Sequence, residues 1–93
     1  MKSATPWKVA QVEVLDGFVL RVMFGDGVRG TVDMKPLLAR PDLIGTVFEP
    51  LRDPAFFGQA FLDHGAVTWP NGADLAPDAM RNAILAQGTW QPA

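Results

Sequence analysis

Cysteine and tyrosine are absent from this chain, and histidine and serine occur once each, as His64 and Ser3. Without cysteine there is no disulfide and no thiolate metal site, and a cytoplasmic setting is the natural expectation. Nucleophilic catalysis would have to recruit a threonine beside His64, because the one serine sits at the extreme amino terminus. The inventory predicts a protein that is not an enzyme. No apolar run approaches the roughly 20 residues that span a bilayer, and Lys2 is not followed by the apolar stretch of a secretory leader. Nor does one sign of charge dominate. The formal net charge of −2 draws the molecule as a whole neither to nucleic acid nor to an anionic membrane.

What is present is 48% hydrophobic residues over 93 positions, with the charges dispersed. That composition predicts one folded domain rather than a disordered chain. Such a chain buries only roughly 60–65% of its unfolded surface, so the core is thin but feasible. Residues 1–6 and 89–93 are expected to be loose tails.

From Val9 to Asp33 the pattern has period two. Ala10, Val12 and Val14 alternate with Gln11 and Glu13. Phe18, Leu20, Val22 and Phe24 form one face of a second strand, and Val28, Gly30 and Val32 one face of a third. Asp16-Gly17 and Gly25-Asp26-Gly27 mark hairpin turns, so the segment reads as a three-stranded antiparallel meander. Parity sets the register. The Gly25-Asp26-Gly27 loop puts Phe24 opposite Val28 and Leu20 opposite Val32. A two-residue turn at Asp16-Gly17 would mix the faces. A three-residue loop, Leu15-Asp16-Gly17, sets Val14 opposite Phe18 and Val12 opposite Leu20.

Beyond the meander, Met34 to Leu38 reads as one helical turn capped by Asp33. Arg40 to Gly45 reads as a loop, and Val47 to Leu51 as an extended segment interrupted by Pro50. Asp53-Pro54 opens a short helix. Gln59–Asp63 and Ala66–Trp69 are short strands around a His64-Gly65 turn. Pro77 to Gln87 is a helix with Met80, Ile84 and Leu85 facing the core and Gly88 ending it. The fold class is therefore α+β: a meander, short helices, a second short hairpin and a C-terminal helix.

Each polar cluster has a structural use. Asp63, His64, Asp74 and Asp78 lack metal-ligand spacing, and Asp74 and Asp78 suit the start of the last helix. Gly25-Asp26-Gly27 lacks the helix and lysine of a phosphate loop. No catalytic, cofactor or metal residues are assigned. Arg21 and Arg29 share the outer sheet face and could contact nucleic acid, but Glu13 and Asp33 share it too and no aromatic there can stack on bases. The aromatic residues fit a protein partner or a homodimer, and fit simple core filling equally well. Trp7 and Trp90 lie near the termini, Trp69 at a strand end, and Phe48 and Phe57 add to more aromatic surface than a thin core hides.

Three stretches carry a family resemblance: Leu20 to Gly27 with Val32-Asp33 following, Val47 to Phe57, and Val67 to Asp78, the last reading Val-Thr-Trp-Pro-Asn-Gly-Ala-Asp-Leu-Ala-Pro-Asp. Their order and spacing resemble a small bacterial family, domain of unknown function 2442. The resemblance implies an α+β domain with an antiparallel sheet and no assigned enzymatic activity. Members resemble stand-alone small proteins, partners of another small domain, or amino-terminal domains fused to a helix-turn-helix. It implies a regulatory or antitoxin-like role, with nucleic-acid binding as the alternative. Arg81 departs from the family pattern, standing where an aromatic residue often follows the Pro-Asp pair.

Overall fold

Alternating apolar residues build the meander as expected. A computed structural model describes residues 7–92, so the predicted tail at 1–6 lies outside the described residues. Strands β1 (Val9–Leu15), β2 (Val19–Phe24) and β3 (Arg29–Asp33) pair antiparallel in that order. Between β2 and β3, Leu20 faces Val32 and Val22 faces Gly30, the register predicted from parity.

Between β1 and β2 the expected register is corrected. Val14 faces Leu20 and Val12 faces Val22, with Leu15 paired to Val19. The three-residue loop is thus Asp16-Gly17-Phe18. A pattern of period two cannot tell registers that differ by two, because both keep the apolar faces together. Tertiary packing decides. Phe18 leaves the ladder, takes the left-handed conformation at φ 63°, and sets its ring edge-on to Phe57 at 5.3 Å. Left-handed backbone costs a residue with a Cβ roughly 1–2 kcal/mol, against about 0.5–1.5 kcal/mol from an edge-on aromatic pair. A bulge between Val9 and Gln11 makes a second correction: Val9 turns into the core and Ala10 out to solvent.

After β3 comes α1 (Lys35–Leu38). The N-cap is Met34, whose side chain makes no cap bond, rather than the expected Asp33; from one residue earlier in the chain, Asp33 Oδ1 still accepts from Lys35 N at 3.1 Å. The expected loop at 40–45 holds a 3-10 turn, Pro41–Leu43. The expected extended segment at 47–51 is instead helical at its end, with a 3-10 turn at Glu49–Arg52. Pro50 accounts for this: its fixed φ suits the first helical turn, where the missing N–H has no bond to make. Helix α2 (Pro54–Phe57) starts at Asp53, whose carboxylate accepts from Ala55 N at 3.0 Å. The hairpin of β4 (Phe61–Asp63) and β5 (Ala66–Thr68) turns through His64 and Gly65, both at positive φ.

Helix α3 (Pro77–Gln87) buries Met80 and Ile84, but Leu85 is 59% exposed, a correction to the predicted core face. Gly88 ends it at φ 80° and donates its N–H to Ile84 O at 2.7 Å. The chain does not then trail off. Thr89–Trp90 forms β6, parallel to β3, and completes a four-stranded mixed sheet in the order β1-β2-β3-β6. The predicted tail at 89–93 is corrected for residues 89–92, of which Pro92 is buried. Leu20, Val22, Phe24, Val32, Met34, Leu51, Phe57, Val67, Trp69 and Met80 form the fully enclosed centre.

Candidate interaction surface

The Trp69 to Asp78 corner is built by its own polar groups. Gly72 N donates to Trp69 O at 2.9 Å and Trp69 N to Ala73 O at 2.9 Å, closing the turn. Asn71 works in two directions: its Oδ1 accepts from Ala73 N at 3.2 Å, and its Nδ2 donates to Val47 O at 2.8 Å. The second bond joins the corner to the loop at 44–48. Glu49 Oε1 accepts from Gly45 N at 3.0 Å, and Thr46 Oγ1 donates to Leu43 O at 2.7 Å, so the loop is held from inside as well.

On this pinned loop Ile44 is 69% and Val47 49% exposed, while Phe48 is half-buried against the core. Glu49 follows the loop and Asp74 lies three residues after Asn71, and neither has a cationic partner within salt-bridge distance among the described residues. Asp78 lies in the first turn of α3 and accepts from Ala79 N at 2.9 Å, whereas the Asp74 carboxylate makes no bond to the helix.

The aromatic candidates separate by burial. Trp69 is 1% exposed, donates Nε1–H to Phe57 O at 2.9 Å, and lies 5.7 Å from the Phe57 ring. Trp69 and Phe57 are core residues, a correction to their reading as surface anchors. The indole N–H finds a backbone acceptor inside, which is what allows so large a residue to be enclosed. Trp90 is half-buried on the sheet. Trp7 is exposed, with Lys8 Nζ 5.3 Å from its ring centroid.

On the outer sheet face the register sets Glu13 directly opposite Arg21, and the two form a 2.9 Å ion pair. Arg29 faces Met23 and has no carboxylate within reach among the described residues. The same face holds a shallow depression of ≈ 270 Å³ lined by Gln11, Glu13, Arg21, Met23 and Arg29.

Sequence reasoning missed the tie between Arg81 and Asp26. Arg81 Nη1 and Nη2 donate to the two Asp26 oxygens at 3.1 and 2.6 Å, and the guanidinium lies 5.3 Å from the Phe24 ring centroid. It fastens α3 to the β2–β3 hairpin, and its hydrogen bonds hold the Asp26 carboxyl below its ordinary range and raise Arg81. The departure of Arg81 from the family pattern was the available signal; its partner 55 residues away was not legible.

Among the described residues no three His, Asp or Glu are grouped to hold a metal ion, and no helix is long and apolar enough to cross a membrane. Asp63 and His64 are neighbours at 2.7 Å on an exposed turn, remote in sequence from Asp74 and Asp78. The fold and its surfaces define a small α+β domain whose polar residues serve turns, caps and ties between elements. The chain belongs to the family described as protein of unknown function (DUF2442), whose model matches residues 9–86. The three stretches between Leu20 and Met80 that carried the resemblance lie inside that match. No curated protein and no solved structure matches the chain.

Proposed function

We propose that this protein is a non-enzymatic interaction module, of the accessory or antitoxin-like kind, that docks a basic polypeptide on the 44–48 loop and the adjoining corner. The observation that carries this is the exposure of Ile44 and Val47 on a loop pinned by Asn71 and Glu49. Single exposed apolar side chains are ordinary. Two on a fixed loop offer apolar contact with little ordering cost on binding. Glu49, tied to Gly45, and Asp74, three residues after Asn71, favour Lys or Arg on the partner. A second copy of this chain would bring like charges together, so a different protein fits better than a homodimer. The poverty of nucleophiles supports the non-enzymatic part of the reading.

The test is affinity capture from a lysate of the source cell with the wild-type protein and an Ile44→Asp, Val47→Asp double variant. Both changes lie at the surface and leave the core intact. The reading expects a basic protein held by the wild type, lost by the double variant and released as salt rises. Equal capture by both proteins sinks it. Nucleic-acid binding through Arg21 and Arg29 is the second reading, and Arg29 without a carboxylate favours it. Non-specific binders act at roughly 1–100 µM at physiological salt, so a labelled duplex left unshifted by about 100 µM protein at low salt removes that reading.

A further inference from the structure

Arg52 is a cation without a carboxylate. Its Nε donates to Leu38 O at 2.9 Å and its Nη2 to Arg40 O, both neutral acceptors. No Asp or Glu lies within salt-bridge distance of it among the described residues. Its sequence neighbour Asp53 is turned away to cap α2 through Ala55 N. The two carbonyls fix the guanidinium and leave Nη1 uncommitted. Half-buried and fixed in this way, it is preorganised to take a carboxylate.

Arg52 stands on the wall of a cleft of ≈ 290 Å³ whose other lining residues are Phe18, Lys35, Leu38 and Ala39. The floor is apolar, and among the described residues the charged side chains lining it are Lys35 and Arg52. Lys35 Nζ is paired with Asp33 Oδ1 at 3.0 Å, and Asp33 also accepts from Gln91 Nε2. The positive charge left over at the cleft is therefore that of Arg52. Phe18 reaches the cleft from a left-handed backbone conformation at φ 63°.

We propose that this cleft binds the carboxyl-terminal residue of a partner polypeptide, its apolar side chain on Phe18, Leu38 and Ala39 and its carboxylate on Arg52. Charge complementarity selects an anion. The single small cavity demands that anion and apolar group be attached to the same short unit, as they are at a chain terminus. A free metabolite is the poorer occupant, because this cleft is open, with five lining residues, whereas small-molecule sites enclose most of the ligand. The site is separate from the 44–48 loop, so it stands or falls independently of the docking surface proposed there.

The experiment is a ¹H–¹⁵N NMR titration of the full chain with N-acetyl-Ala-Ala-Leu as free acid, the same peptide as C-terminal amide, N-acetyl-leucine, and free leucine. The expected result is saturable shifts at Lys35, Leu38, Ala39 and the Arg52 side chain with the free acid, at a Kd of about 1 mM. The amide binds about tenfold or more weakly, since a charge-assisted hydrogen bond is lost. Arg52→Gln removes binding but also two structural bonds. Ala39→Glu is the cleaner variant: Ala39 is exposed, and the added carboxylate repels the ligand while the melting temperature stays unchanged. Equal shifts from acid and amide, or none up to about 10 mM, overturn the proposal. N-acetyl-leucine carries the same carboxylate and side chain and binds comparably, whereas free leucine, whose ammonium group the cationic cleft repels, overturns the chain terminus as occupant if it binds as tightly as the tripeptide.

Discussion

Gly30 has no room for a side chain. A Cβ built there would lie 2.6 Å from Ile84 Cγ2 and 2.7 Å from Gly88 O. The Ile84 methyl can rotate, but the Gly88 carbonyl is held by Thr31 N at 3.2 Å. Gly30→Ala therefore pushes α3 off β3, and overpacking of this kind costs about 1–3 kcal/mol. The expected readout is a lower urea midpoint with an unchanged slope. Ile84→Ala deletes both γ carbons that meet the added Cβ, so it costs less in the Gly30→Ala chain than it does alone, because the two sites are in contact. A midpoint that does not move would show that helix and sheet are not in close contact there. In the sequence Gly30 was simply a member of the apolar face; nothing local marks it as the seat of the helix. The same holds for Trp69 and Phe57, whose residue types fit an interface as well as a core.

At the scale of elements, long periodic segments were legible and short ones were not. The bounds of α3 are those that Pro77, the apolar spacing and Gly88 indicate, because each signal acts within a turn of the chain. Asp53-Pro54 and His64-Gly65 are legible for the same reason. Two residues cannot show a period, so β6 was read as tail. It is held by pairing with β3 and by the Thr31 hydroxyl donating to the Thr89 hydroxyl at 3.0 Å. Removing residues 89–93 should then lower the melting temperature, by roughly 4–8 °C for each kcal/mol lost in a domain of this size. Circular dichroism melts of the full and shortened chains decide it; a loose tail would leave the two curves superimposed.

For the whole molecule the carboxylates set the response to acid. Asp26 and Asp42 are held below the ordinary value of 3.8 by hydrogen bonds from Arg81 and Arg40, against some desolvation. For Asp33 burial pushes upward, and hydrogen bonds from Lys35 and Gln91 outweigh it, so the net shift is also down. A carboxyl lowered in the folded state contributes stability that is complete above 3.8 and lost as pH falls through the folded values. Urea midpoints should be nearly flat from about pH 7 to 5 and fall below about pH 4. Asp26→Asn should flatten that acid limb. An acid limb of the same steepness in the variant would show that the Arg81 tie does not stabilise the fold.

By itself the sequence determined the class of fold, the faces of β2 and β3, the bounds of α3 and the family, because alternation, caps and turn residues act over a few neighbours. Tertiary structure decided which of two equal-parity registers joins β1 to β2, that residues 89–90 close the sheet, and that Trp69 is enclosed. It also brought Asn71 to Val47, Arg81 to Asp26, and Arg52 to the carbonyls of Leu38 and Arg40. Such contacts depend on where distant segments come to rest against one another. Local pattern carries no record of that.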